Sequence, residues 1–176
     1  MPVSISGVGV VTGLASLDSP TTVNGLTIPT TGFGKVLQVV RATDSTYRTT
    51  TSTSLVDITG MSVTITPKAT TSNILVISSF QGQLSSASVN LSGRFVLTDS
   101  SNNIIGGINN DQYGLFGSSN SGTQFFSTFV TILGWVSPNT LSPVTYKLRA
   151  SAYSGTEVSL RNEHQTGQMF AIEVAA

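Results

Sequence analysis

The chain has 176 residues, of which only 9% are charged, and its eight basic and eight acidic side chains give a formal net charge of zero. A typical soluble domain is about 25% charged; here Ser and Thr, 26 and 25 in number, take over the polar positions. The scattered basic residues lack the clustered footprint of a nucleic-acid-binding protein, and the absence of cysteine excludes disulfides, thiolate metal sites and thiol redox chemistry.

Ser and Thr set among many Val and Ile suit a pleated sheet better than a helix. So few charges also leave little repulsion between identical copies, so self-association is expected.

Residues 1–32 carry short apolar pairs separated by Gly, Pro and Thr, as in Gly7-Val-Gly-Val-Val-Thr-Gly13. No period is held long enough for a helix or an amphipathic strand. This segment is predicted to be an extended arm. Val8, Val10, Leu14, Leu17, Val23, Leu26 and Ile28 are its candidate anchor contacts, around a shared axis with other copies or along a partner by strand addition; the alternative is an arm folded back onto its own β-domain. The opening Met1-Pro-Val-Ser-Ile-Ser lacks the basic and continuously apolar regions of a signal peptide, so none is expected.

Residues 33–176 read as one β-domain. Strands are expected at Lys35–Arg41 and Tyr47–Ser52. Met61, Val63 and Ile65 then alternate with polar residues, the pattern of a strand with one buried face. Ile74-Leu-Val-Ile77 is continuously apolar, as though covered on both faces. Alternation returns at Val89, Leu91, Gly93, Phe95 and Leu97. A short strand is expected at Ile104–Ile108, inside a polar insert running from Asp99 to Thr123.

Phe125 to Trp135 is again nearly continuous in apolar character, but Ser127, Thr128 and Thr131 interrupt it well short of the ~20 residues of a membrane span. No membrane insertion is expected. Val144, Tyr146, Leu148, Ala150 and Ala152 alternate with polar neighbours, and Val158–Asn162 forms another strand. The last alternating set is Phe170, Ile172 and Val174, predicted as a buried face. No stretch gives a helical stripe, so the expectation is all-β, a single jelly-roll sandwich of about ten strands. Ile74, Val76, Phe126, Trp135, Phe170 and Ile172 are candidate core or subunit-contact positions, because a strand apolar on both faces needs a second cover.

Chemical motifs are few. His164, the only histidine, sits in the polar turn Glu163-His-Gln-Thr-Gly167, and no Gly-x-Ser-x-Gly elbow accompanies it. Gly7, Gly9 and Gly13 match a dinucleotide loop only superficially, since no strand precedes them and no helix follows. The eight acids form no close pair of the glycosidase type. Glu173 lies in an apolar strand and, if buried, is expected to pair with Arg94 or Arg149. No enzyme activity, cofactor or metal is expected. The insert offers the best ligand surface: Asn109, Asn110, Asp111, Gln112, Tyr113 and Phe116 combine planar amides with aromatic platforms, which suits sugar hydroxyls.

Gly34-Lys-Val-Leu-Gln-Val-Val40, the run from Tyr47 through Thr64-Ile-Thr-Pro67, Thr71-Ser-Asn-Ile-Leu-Val-Ile77, Ser142-Pro-Val-Thr-Tyr-Lys-Leu-Arg149 and Phe170-Ala-Ile-Glu-Val-Ala-Ala176 together resemble a family of bacteriophage virion domains. The family is common in viruses of aquatic bacteria, including cyanobacteria, often at the C-terminal end of tail-fibre or other virion-surface proteins. The layout is also similar to the complement C1q and tumour-necrosis-factor jelly roll, whose members are trimers.

The resemblance implies a virion-surface location on tail or capsid and a homotrimer. It implies attachment to other phage structural proteins through residues 1–32, and host-surface glycans as candidate receptors. It further implies a short trimeric tail fibre or fibre tip; the alternative is a trimeric capsid decoration or head-fibre protein. An arm of 32 residues spans at most about 105–115 Å, so a long shaft is not expected.

Overall fold

A computed structural model describes residues 22–23, 26–27, 35–87, 90–105, 114–118, 124–153 and 155–176, with backbone alone for 22–23, 26–27, 90 and 114–118. The chain separates into two units, Met1–Phe33 and Gly34–Ala176. In the first, β1 (Thr22–Val23) and β2 (Leu26–Thr27) pair antiparallel, with Val23 opposite Leu26.

The second unit holds β3 (Val36–Asp44), β4 (Tyr47–Thr50), β5 (Val56–Ile65), β6 (Asn73–Ser86), β7 (Asn90–Asp99), β8 (Gly114–Ser118), β9 (Gln124–Val136), β10 (Val144–Ala152), β11 (Thr156–Arg161) and β12 (Gly167–Val174). All pairings are antiparallel and no helix occurs among the described residues. Of the expected strand at Ile104–Ile108, Ile104 bridges to Thr98, and residues 106–108 lie outside the described residues.

The strands form an all-β sandwich. One sheet has the order β5-β10-β7-β8; the other is built on β6. This 14-residue strand pairs along its whole length with β9. Its opposite edge is shared: β12, followed by β3, takes Asn73–Ser79, and β11, followed by β4, takes Gly82–Ser86. A strand of this length reaches about 46 Å, enough to seat two partners end to end.

Burial alternates without a break along β6, because its even-numbered residues face the opposing sheet. Ile74, Val76, Phe80 and Leu84 meet Met61, Val63, Ile65, Phe95, Leu97, Tyr146 and Leu148 in one apolar core. Phe80 and Phe95 meet edge to face at 4.8 Å, the favoured aromatic geometry. Gly93 falls in the apolar parity of β7 for a steric reason. A Cβ there would lie 2.3 Å from Val158 Cγ2 and 2.9 Å from Leu84 Cδ2, so only hydrogen lets the sheets approach this closely.

The structure corrects the reading of the last strand. Met169, Ala171 and Glu173 of β12 are buried, whereas Phe170, Ile172 and Val174 are half-buried on the outer face. Pairing to both β3 and β6 fixes this register, and a slip of one residue would invert it.

A carboxylate is tolerated on the inner face because donors converge on it. Glu173 Oε1 accepts from Lys68 N (2.7 Å), Ala69 N (3.3 Å) and Ser72 Oγ (2.5 Å), and Oε2 accepts from Gln38 Nε2 (2.6 Å). The expected arginine partners are engaged elsewhere: Arg94 donates to Ser151, and Arg149 lies 2.7 Å from Asp57.

Candidate functional site

The most distinctive surface is the outer face of the six-stranded sheet, and β-sheet periodicity explains how it arises. Odd-numbered residues of β6 and β9 and even-numbered residues of β12 point away from the core. Backbone register aligns them in rows across neighbouring strands.

One half of the face is apolar. Trp135, Leu75, Ile172 and Val39 form one row, and Leu133, Ile77, Phe170 and Arg41 the next. A bulge at Glu173/Val174 brings Val36 onto the same face, opposite Val174. Trp135 is 49% exposed, Leu133 51%, Val39 56% and Val36 54%. The one charge in these rows, Arg41, lies over the Phe170 ring at 5.9 Å and donates to Gln168.

The other half is polar with aromatic edges. Phe125, Ser85 and Glu157 form a row across β9, β6 and β11. Ser127, Gln83, Ser159 and Thr49 follow in the next row. The small Ser85 between two large neighbours leaves a trough of about 390 Å³, lined also by Thr51, Ser86, Gly155 and Thr156. Phe125 on its rim is 66% exposed.

Glu157 is held in place by Tyr47 Oη (3.2 Å) and Ser159 Oγ (3.1 Å), which both reach its Oε1. Gln83 donates to Ser127 and accepts from Arg161. The Arg161 guanidinium stacks over Tyr47 at 5.5 Å and meets Glu163 at 2.6 Å and His164 at 2.6 Å.

Titratable groups with shifted behaviour sit in structural networks. Burial pushes Asp44 up, but hydrogen bonds from Arg48 and Asn162 outweigh it and hold the carboxyl low. Lys147, 2.8 Å away, lowers Asp57. Asp99 is raised by burial but lowered further by Asn103 and the N–H of Ser101, in the turn that opens the insert. Burial pushes the Tyr146 phenol up to about 12, with the Asp99 charge adding to it. Among the described residues no three His, Cys, Asp or Glu side chains come together as metal ligands.

The other candidates disperse. Asn109, Asn110, Asp111, Gln112 and Tyr113 lie outside the described residues, as do Val8, Val10, Leu14, Leu17 and Ile28. Phe116 falls in β8, with its backbone opposite Ser92. Ile74 and Val76 are core residues, while Trp135, Phe170 and Ile172 share the apolar outer rows. Phe126 has the inward parity of β9 yet remains 36% exposed near the strand's start. Residues 75 and 77 of β6 and the row Phe125–Ser85–Glu157 were not singled out by sequence. A run apolar at both parities carries no local signal for the first pair, and cross-strand register is needed to see the second.

No family model matches the chain, and no curated protein matches it.

Proposed function

We propose that the chain is a structural protein of a bacteriophage surface, a homotrimeric short tail fibre or fibre tip. On this reading residues 33–176 form a jelly roll that trimerises and displays a host-contacting surface, and residues 1–32 attach it to the particle. The observation that carries the reading is the apolar half-face around Trp135, Leu133, Leu75, Ile77, Phe170 and Ile172.

Monomeric proteins rarely expose contiguous apolar patches above a few hundred Å². Covering a Val, Leu or Phe side chain is worth about 1.5–3 kcal/mol when it is fully exposed, so the half-exposed Trp135, Leu133, Val39 and Val36 contribute roughly 1 kcal/mol each. That gives about 4 kcal/mol per chain before the half-buried neighbours are counted. A second and third copy are the occupants suited to an apolar half-face whose two rows carry a single charge, itself stacked on Phe170. The phage assignment draws on the motif resemblance from Gly34 onward.

Quantitative mass spectrometry of particles purified from the encoding virus tests this reading. Tens of copies per particle support a fibre, hundreds a capsid decoration, and absence from the particle refutes a virion role.

A further inference from the structure

Residues of the polar half-face that serve neither the core nor the apolar rows have a chemistry of their own. Phe125 and Glu157 stand two strand spacings apart, about 10 Å, with only the Ser85 side chain between them. The trough has the size class of small-molecule sites, roughly 300–1,000 Å³, at its lower end. Its apolar elements are the largely exposed Phe125 ring and the Ala87 methyl group. Its polar elements are hydroxyls and one carboxylate, which Tyr47 and Ser159 fix in position through Oε1. Among the described residues Oε2 has no hydrogen-bond partner.

We propose that this trough is a subsite for an uncharged hexopyranose unit of a surface polysaccharide. The apolar C–H face of the sugar lies on Phe125, and two neighbouring hydroxyls donate to the Glu157 carboxylate. A ring with one apolar face and hydroxyls on its rim matches an aromatic platform opposite an acceptor.

Charge excludes acidic sugars. Among the described residues Glu157 is the ionisable group lining the trough, and a second carboxylate beside it would be repelled. The closest cation on this face, Arg161, is committed to Glu163, Gln83 and His164. This proposal deepens the reading of a host-contacting surface protein and rests on it, but it moves the contact from the 99–123 insert to the sheet.

The full chain is titrated by ligand-observed NMR with maltopentaose, cellopentaose and chitopentaose, and with a pentamer of galacturonic acid. At least one uncharged oligomer is expected to bind, with the galacturonate pentamer at least about tenfold weaker. Phe125→Ala is expected to weaken binding about tenfold or more, and Glu157→Gln several-fold while narrowing the discrimination against galacturonate. Leu141→Ala, exposed in the loop at the opposite end of β9, serves as control and is expected to bind as the wild type. Melting curves establish that each variant is folded.

Failure of all three uncharged oligomers to bind at about 10 mM, tenfold above a Kd of about 1 mM, overturns the subsite. So does binding that Phe125→Ala leaves unchanged, or preferred binding of galacturonate. These outcomes leave particle incorporation and trimer mass untouched. Absence from the particle removes the parent reading whatever the sugar data show.

Discussion

Glu173→Leu is the substitution whose cost follows most directly from the structure. The carboxylate is fully buried and accepts from Lys68 N, Ala69 N, Ser72 Oγ and Gln38 Nε2, tying β12 to β3 and to the loop before β6. Leucine is close in size, so the main loss is of acceptors. Ser72 can redirect its hydroxyl to Ala69 O at 2.7 Å, and Gln38 retains Thr66 O at 2.6 Å. The two backbone N–H groups have no such alternative and lose charge-assisted bonds. At about 1.5 kcal/mol each the loss is about 3 kcal/mol, or roughly 6–12 °C in Tm for a chain of this size.

Urea unfolding followed by far-UV circular dichroism measures it, with wild type and variant at equal protein concentration so that association does not bias the comparison. A loss below 0.5 kcal/mol, the scatter of ordinary surface substitutions at about ±0.5, refutes the reasoning. The same group sets a pH dependence. Burial pushes Glu173 up, but its hydrogen bonds outweigh this and lower it below its ordinary 4.5. A carboxyl depressed in the folded state stabilises the fold above its unfolded value, and that contribution is lost as pH falls through the folded value. Wild type is therefore expected to weaken below pH 4.5, and Glu173→Gln to weaken less over that interval. Asp44, Asp57 and Asp99, also lowered, keep part of the acid sensitivity in the variant.

Gly93→Ala is expected to cost about 1–3 kcal/mol in urea unfolding, because its Cβ has nowhere to go between Val158 and Leu84; an unchanged midpoint contradicts the close sheet approach. Leu75→Asp and Val76→Asp should separate the two faces of β6. The first is expected to stay folded but fail to associate, and the second to lose cooperative melting; identical behaviour rejects the assigned parity. Asp57→Asn removes the partner of Lys147 and Arg149, but Asp57 is half exposed, so the loss in Tm should correspond to under about 1 kcal/mol.

Much of the sandwich was legible because strand alternation reports directly on burial. Met61, Val63 and Ile65 face the core as their spacing predicts, and so do Tyr146, Leu148 and Ala150. The failures share one physical origin. In β12 both parities are apolar enough to be buried, so composition favoured Phe170 and Ile172, while pairing to two neighbours placed Ala171 and Glu173 inside. The donors that satisfy Glu173 lie more than 100 residues away, in a loop whose backbone N–H groups leave no mark on residue identity. For Ile74 and Val76 a doubly apolar run hid which half faces outward, and it is Leu75 and Ile77 that do. The trough depends on register among β9, β6 and β11, segments distant in sequence, so no local pattern reveals that Ser85 lies between Phe125 and Glu157.

The central claim is that the apolar outer rows hold three copies together. Sedimentation equilibrium of the wild-type chain over a range of concentrations, beside Ile172→Asp, tests it directly. Closed threefold association predicts about 55 kDa for three chains of 18.3 kDa each, with Ile172→Asp folded and at the mass of one chain. A folded wild type that sediments at 18.3 kDa across that range, or a variant that keeps the wild-type mass, contradicts it.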